Sequence, residues 1–315
     1  MSTLSNAVFA LPTRFDRYQR RHRFVAFAYA TIKKYLDDQA GHTAALLAYY
    51  GFLSLFPLLL VLTTTVKLLL LGNSEFGHDI IQGAVGYFPV VGGELQRNLH
   101  GFGTSGLALA VGVLLTLYGT RQVADCLRIG LDHLWQVPYV QRSSFPGSLL
   151  RSMSIIVVGG LGLAVAPLAS GYSVIAGHGY LFQFATVLTT LAMLFGILLL
   201  IIRFGLSVRR PLHEIWLGAA LAAIGLEVLQ TIGGYIMARE LQRLDSLYGT
   251  FALVLGVLYW LYLQAQVLLL ALEVDTVRVF RLWPRSIRRP LTTADYQAYE
   301  LYRDRARFHD PEAEG

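Results

Sequence analysis

Glu227 is the residue whose chemistry is hardest to ignore, because it sits in an apolar stretch from about Glu214 to Tyr235. Thirteen residues separate it from Glu214, which is ~20 Å along a helix. An acid at such a depth in a membrane costs ~2.5–3.5 kcal/mol on insertion scales, so it must face protein or water. Gln230 follows one turn later on the same face. Two roles fit: a protonatable grip in a substrate pathway, or a protonated acid hydrogen-bonded between helices as packing glue. Gln264 stands near mid-depth of the next apolar stretch, with Gln266 close by on another face. Amides carry donors and acceptors that lipid cannot satisfy, so they could pair with Glu227 and Gln230 across a helical hairpin.

Glu273 ends that last apolar stretch. A carboxylate at a helix C-terminus opposes the dipole and calls for a cation. Arg121, Arg203 and Arg278 are the expected candidates at that depth, and a structural ion pair is favoured over a gate. Ser54 and Pro57 lie inside the first apolar run, Ala44 to Leu71. Proline lacks an N–H and crowds the carbonyl of Leu53, so a bend is expected there, either as a hinge or as static packing. Ser54, Pro57, Glu227, Gln230 and Gln264 are the candidate lining of a pathway.

Enzyme signatures are poor. The eight histidines are scattered, without the spacing that sets two ligands on one metal. No acidic cluster offers a two-metal nuclease site. GFGTSG at 101–106 matches a dinucleotide fingerprint but opens a membrane helix rather than following a strand. Gly159, Gly160 and Gly162 read as close helix packing. Lone Cys126 excludes an intramolecular disulfide and reads as inert. No cofactor and no metal is expected, and the chain is not read as an enzyme.

The elements that hold these residues follow from composition. Hydrophobic residues make up 55% of the 315 and charged ones 15%, against roughly 25% charged in a soluble domain. Six apolar runs are long enough to be read as crossings: about 44–71, 105–120, 149–175, 181–203, 214–235 and 247–272. The expected fold is all-α, a polytopic membrane protein of six transmembrane helices with interfacial helices at 24–36, 74–100 and 122–136. Residues 1–43 form a basic tail, 44–275 the membrane domain, and 276–315 a second basic tail, loosely ordered from about Pro290. In the first tail Phe24, Phe27, Ala28, Ile32, Tyr35 and Leu36 recur at helical spacing, as in a helix lying on a membrane surface. Ala7 to Leu11 is too short for a cleavable signal, so the first crossing is expected to act as an anchor.

The net charge of +6 is concentrated in the tails and in the 2–3 and 4–5 loops. The other loops hold only Arg97, Arg239 and Arg243. The positive-inside rule then places both termini in the cytoplasm, beside anionic lipid headgroups. Topology accounts for the charge, so no nucleic-acid partner is expected. A homo-oligomer is left open.

Three stretches together resemble the YihY/BrkB family of bacterial inner-membrane proteins. In the first, Ala45, Leu47, Ala48, Tyr49, Tyr50, Leu53, Ser54 and Pro57 match the family's pattern. In the second the matches are Leu131, Asp132, Trp135, Val137 and Pro138. In the third they are Tyr248, Gly249, Trp260, Tyr262 and Glu273, with Leu272 and Asp275 departing from the pattern. The resemblance spans roughly residues 25–285 and implies a six-helix inner-membrane protein. Family members have been labelled a ribonuclease or a serum-resistance factor, and one branch has been linked to export of a lipid A precursor. The combined reading is a transporter or flippase of a lipid or other amphiphile. The alternative is a non-transporting scaffold for envelope assembly, and a membrane-bound ribonuclease is disfavoured.

Overall fold

The structure, a computed structural model, describes residues 16, 18–70, 106–175, 180–287 and 289–306. Of these, 56–70, 106–109, 112, 163–175, 180–183 and 234–253 are described by their backbone alone. Among the described residues the regular structure is entirely helical. The helices are α1 (Arg23–Asp37), α2 (Ala40–Leu70), α3 (Gly106–Leu134), α4 (Gly147–Ile175), α5 (Tyr180–Gly205), α6 (Leu212–Val279) and α7 (Thr293–Arg305). Among the described residues, three segments are long and apolar enough to cross a membrane: Phe184–Gly205, Leu212–Gly233 and Val254–Val279.

Helix α6 runs for 68 residues, where two crossings joined by a loop at MARELQRLDS are expected. Its two arms nevertheless lie side by side. A Cβ on Gly218 would meet the Asp275 carboxylate, one on Gly225 would meet Val267 at 2.6 Å, and one on Gly233 would run into the Trp260 ring. Residue numbers rise on one arm as they fall on the other, so the arms are antiparallel and the chain reverses between Gly233 and Trp260. Glycine is what lets them approach so closely. The correction is to the connection, whose backbone is helical throughout, so the chain turns at a tight corner between helical segments instead of an open loop.

Helix α3 also differs from expectation. The second crossing and the interfacial helix at 122–136 are one continuous helix, because nothing between Gly119 and Leu134 breaks it and the first proline comes at Pro138. The glycine motif in α4 needs correction too. Among the described residues nothing lies within 4 Å of a Cβ built on Gly159 or Gly160, while one on Gly162 would be in close contact with Ile197 of α5. The expected helix at 74–100 lies outside the described residues.

Helix α2 packs on α3 and α6, α4 packs on α5, and α5 packs on α6. The described core gathers at one end of this bundle, where Ala44, Leu131, Trp135, Ile202, Leu206, Ile215 and Leu272 are buried together. Helix α1 closes that end against α6. Its buried face is Ala26, Ala30 and Lys34, while Phe24 is 93% exposed and Ile32 and Leu36 are also exposed. Part of the apolar stripe thus points outward, while Phe27 and Tyr35 pack against the buried clusters. The small residues point inward because only they permit close approach.

The segment after Pro290 is not loosely ordered throughout. Thr292 and Asp295 form a reciprocal capping box at the start of α7, which satisfies two otherwise orphaned N–H groups. Ala298 of α7 is buried with Ala30, Val277 and Leu282, so α7 is stapled to α1 and to the end of α6.

Candidate functional site

Lys34 is fully buried. Its Nζ donates to Asp38 Oδ2 at 2.6 Å, to Glu273 Oε2 at 2.6 Å and to the Leu134 carbonyl at 2.8 Å. An ammonium has three N–H bonds, and all three are used. Burial alone would lower the Lys34 pKa, but the facing charges of Glu273 and Asp38 raise it above the ordinary lysine value. Lys34 therefore stays charged.

The rest of the cluster comes from the ends of other helices. Gln136 Nε2 donates to both Asp38 oxygens, at 2.8 and 2.9 Å. Thr276 Oγ1 donates to Glu273 Oε2 at 2.8 Å. Arg305 reaches Asp38 Oδ1 at 3.5 Å from α7. With Arg305 included, two cations face two carboxylates and the cluster is formally neutral.

Local chain geometry sets these positions. Helix α3 ends with Gln136 at φ 53°, and the Val137 N–H donates to the Asp132 carbonyl. That left-handed closure normally selects glycine. A glutamine stands there, and its amide holds Asp38. Gln39, at φ 51°, turns the chain from α1 into α2 just after Asp38.

Two further carboxylates clamp the same end of the bundle. Asp132 accepts from Ser207 N at 2.8 Å and from Ser207 Oγ at 2.6 Å, tying α3 to the α5–α6 connection. Asp295 accepts from Arg285 Nε, from Ser286 N and Oγ, and from Thr292 N and Oγ, all within 3.0 Å. Burial pushes its pKa up, but the Ser286 and Thr292 donors outweigh this and hold it well below the ordinary aspartate range.

The sequence-predicted residues fall in different places. Glu273 is fully buried, and the cation facing it is Lys34. This corrects the expected partners. Arg121 is half exposed and pairs with Asp125 at 3.5 Å. Arg203 donates to the Arg210 carbonyl, and Arg278 bonds Asp275 and the Glu214 carbonyl. Ser54 Oγ donates to the Gly51 carbonyl at 2.8 Å, and its Cβ lies 2.9 Å from where one on Gly119 would be. Ser54 thus marks the α2–α3 crossing. Pro57 lies within α2, and its side chain is outside the described residues.

Glu227 and Gln230 are half-buried on the first arm of α6, and Gln264 is half-buried on the second. All three lie between the Gly225–Val267 and Gly233–Trp260 contacts. No hydrogen bond joins Glu227 to Gln264 among the described residues. Asp38, Gln136 and Lys34 were the residues sequence reasoning missed. The available signal was the i, i+4, i+8 spacing of Ala26, Ala30 and Lys34, a lysine on the small-residue face of α1.

Comparison with known proteins decides the family. The model described as virulence factor BrkB matches residues 31–283. The chain belongs to the BrkB family. A UPF0761 membrane protein of Stenotrophomonas maltophilia is 29% identical, over 95% of this chain and 71% of the relative. A UPF0761 membrane protein of Xanthomonas euvesicatoria is 26% identical over the same shares of the two chains. One from Psychrobacter is 24% identical over 82% of this chain and 49% of its own length. No solved structure matches. The matched region runs from α1 to the turn after α6, so this BrkB-family membrane protein carries Lys34, Asp38, Gln136 and Glu273 inside the family segment.

Proposed function

We propose that this BrkB-family protein is an inner-membrane protein of six crossings, both termini cytoplasmic, that moves a lipid or other amphiphile across the bilayer. The observation that carries the reading is Glu227: a carboxyl within the candidate span Leu212–Gly233, half-buried, with no described cation beside it. A group of that cost needs a polar lining, and Gln230 and Gln264 stand at the same level of the two arms. Orientation is supported by the basic residues gathered at one end. Arg210 lies over the Trp135 and Phe280 rings, Arg142 over Tyr139, and Arg305 beside Asp38. Anionic headgroups on the cytoplasmic face suit that end.

One observation favours the scaffold instead. The Lys34 cluster pins α1 to the second arm of α6 with every ammonium proton used, which suits a rigid platform. A ribonuclease is disfavoured because the two acids best placed on the basic end are engaged elsewhere: Asp132 with Ser207, and Asp125 with Ser152. Reconstitution into vesicles carrying headgroup-labelled lipid separates the readings. Transport predicts faster exchange of label between leaflets than in protein-free vesicles, and a scaffold predicts none.

A further inference from the structure

A cavity of about 380 Å³ opens between the start of α4 and the end of α5. Arg151, Arg203 and Arg209 line it, together with Ser154, Leu150 and Phe204. No carboxylate is among its described lining residues. None of the three arginines makes an ion pair with a described residue, although every described carboxylate clamp nearby has found a partner. Three like charges around one cavity repel each other, and an anion removes that cost.

The arginines are held in place. Arg151 donates to the Leu206 and Ser207 carbonyls, which fixes its guanidinium at the cavity wall. Arg203 donates to the Arg210 carbonyl at 3.3 Å. Each keeps further N–H donors, since a guanidinium has five. Arg209 is exposed at the rim. The first turn of α4 also faces the cavity, with Leu150 and Arg151 close to its N-terminus, where the helix dipole favours an anion.

An apolar path leaves the same cavity. Leu150, Val157 and Leu161 are exposed on one face of α4, with Ser154 between them. They extend about 16 Å along the helix. On α5, Phe204 and Leu200 are exposed one turn apart, in the candidate span Phe184–Gly205. The cations therefore sit at the end of a membrane-length helix, with exposed apolar side chains leading away from them.

We propose that Arg151, Arg203 and Arg209 form a binding site for a phosphate group, carried either by a membrane phospholipid whose chains lie along α4 and α5 or by a soluble phosphate. The site uses none of the residues on which transport rests, and it stands whether or not anything is moved. Guanidinium forks suit phosphate because they offer paired parallel donors.

The test uses the full chain purified in detergent. Thermal stabilisation is titrated with phosphatidylglycerol, with phosphatidylcholine and with inorganic phosphate. Wild type is compared with Arg209→Gln and with Arg203→Gln/Arg209→Gln; Arg209 is exposed, so its single variant keeps the fold. Tighter binding of phosphatidylglycerol, weakened roughly tenfold in the single variant, supports the site with a lipid source. Stabilisation by inorganic phosphate with no lipid preference, lost in the same variants, supports it with a soluble source. Equal binding by wild type and both variants, or no response to either probe, overturns it.

Discussion

The Lys34 ammonium lies 2.6 Å from the Glu273 carboxylate, joining groups 239 residues apart in the chain. Both side chains are fully buried. Isolated pairs of this kind add little net stability, because desolvation offsets the attraction. Removing one partner is another matter, since the other is left charged and dry. Lys34→Met should cost about 3–5 kcal/mol. Replacing Glu273 by leucine in the same chain should restore part of that loss. A double-mutant cycle on thermal unfolding in detergent measures the coupling. Strict additivity of the two losses would show that the pair does not act as a unit.

Close approach of the α6 arms gives a second prediction. Gly233→Val must displace the Trp260 ring, and overpacking of this kind costs ~1–3 kcal/mol. Gly159→Ala meets open space and should be neutral or stabilising by up to about 1 kcal/mol, as expected for alanine over glycine in a helix. Melting temperatures of the two variants should move in opposite directions or at least differ clearly. Equal losses would mean that the arms do not meet where the structure puts them.

Acid should loosen the same end of the bundle in two steps. Burial, with help from Arg305, lowers the His133 pKa from 6.5 to about 4. His133 lies at the end of α3, beyond the expected crossing. Between those values the unfolded chain binds the extra proton, so stability falls as pH drops from 6.5 towards 4. His133→Gln should flatten that slope. Asp295 acts lower down. Its folded pKa lies below the ordinary 3.8, so its contribution is complete above that value and disappears as pH falls through the depressed one. Asp295→Asn should destabilise at neutral pH and remove the second step. Unfolding curves from pH 8 down to about pH 2 that are unchanged by either substitution would contradict both assignments.

The helices were legible in the sequence because hydropathy over some twenty residues is a strong, local signal. Contacts between helices were not. Residue type alone does not distinguish Lys34 from Lys33, yet one is fully buried and the other bonds Ser286 and Asp295 near the surface. The cue lay in the small residues Ala26 and Ala30 on the face of Lys34, and the larger apolar stripe through Phe24, Ile32 and Leu36 drew attention away from it. In a membrane protein the apolar stripe can face lipid, so periodicity marks a face without saying which side of it is protein. Glu273 was identifiable as an acid in need of a cation, but depth alone favoured Arg121, Arg203 and Arg278 over a lysine on a surface helix. The reversal within α6 was expected from length, and its helical connection was not, although MARELQRLDS contains neither glycine nor proline to break a helix.

Glu227 decides the functional account. The measurement is lipid exchange in vesicles reconstituted with wild type or with Glu227→Gln, at matched protein content and with the variant's melting temperature checked. If this carboxyl grips a substrate in transit, wild type moves headgroup-labelled lipid between leaflets and Glu227→Gln slows it at least about tenfold, the equivalent of ~1.4 kcal/mol in the barrier. Exchange by wild type no faster than in empty vesicles, or equal rates for the two proteins, would contradict it.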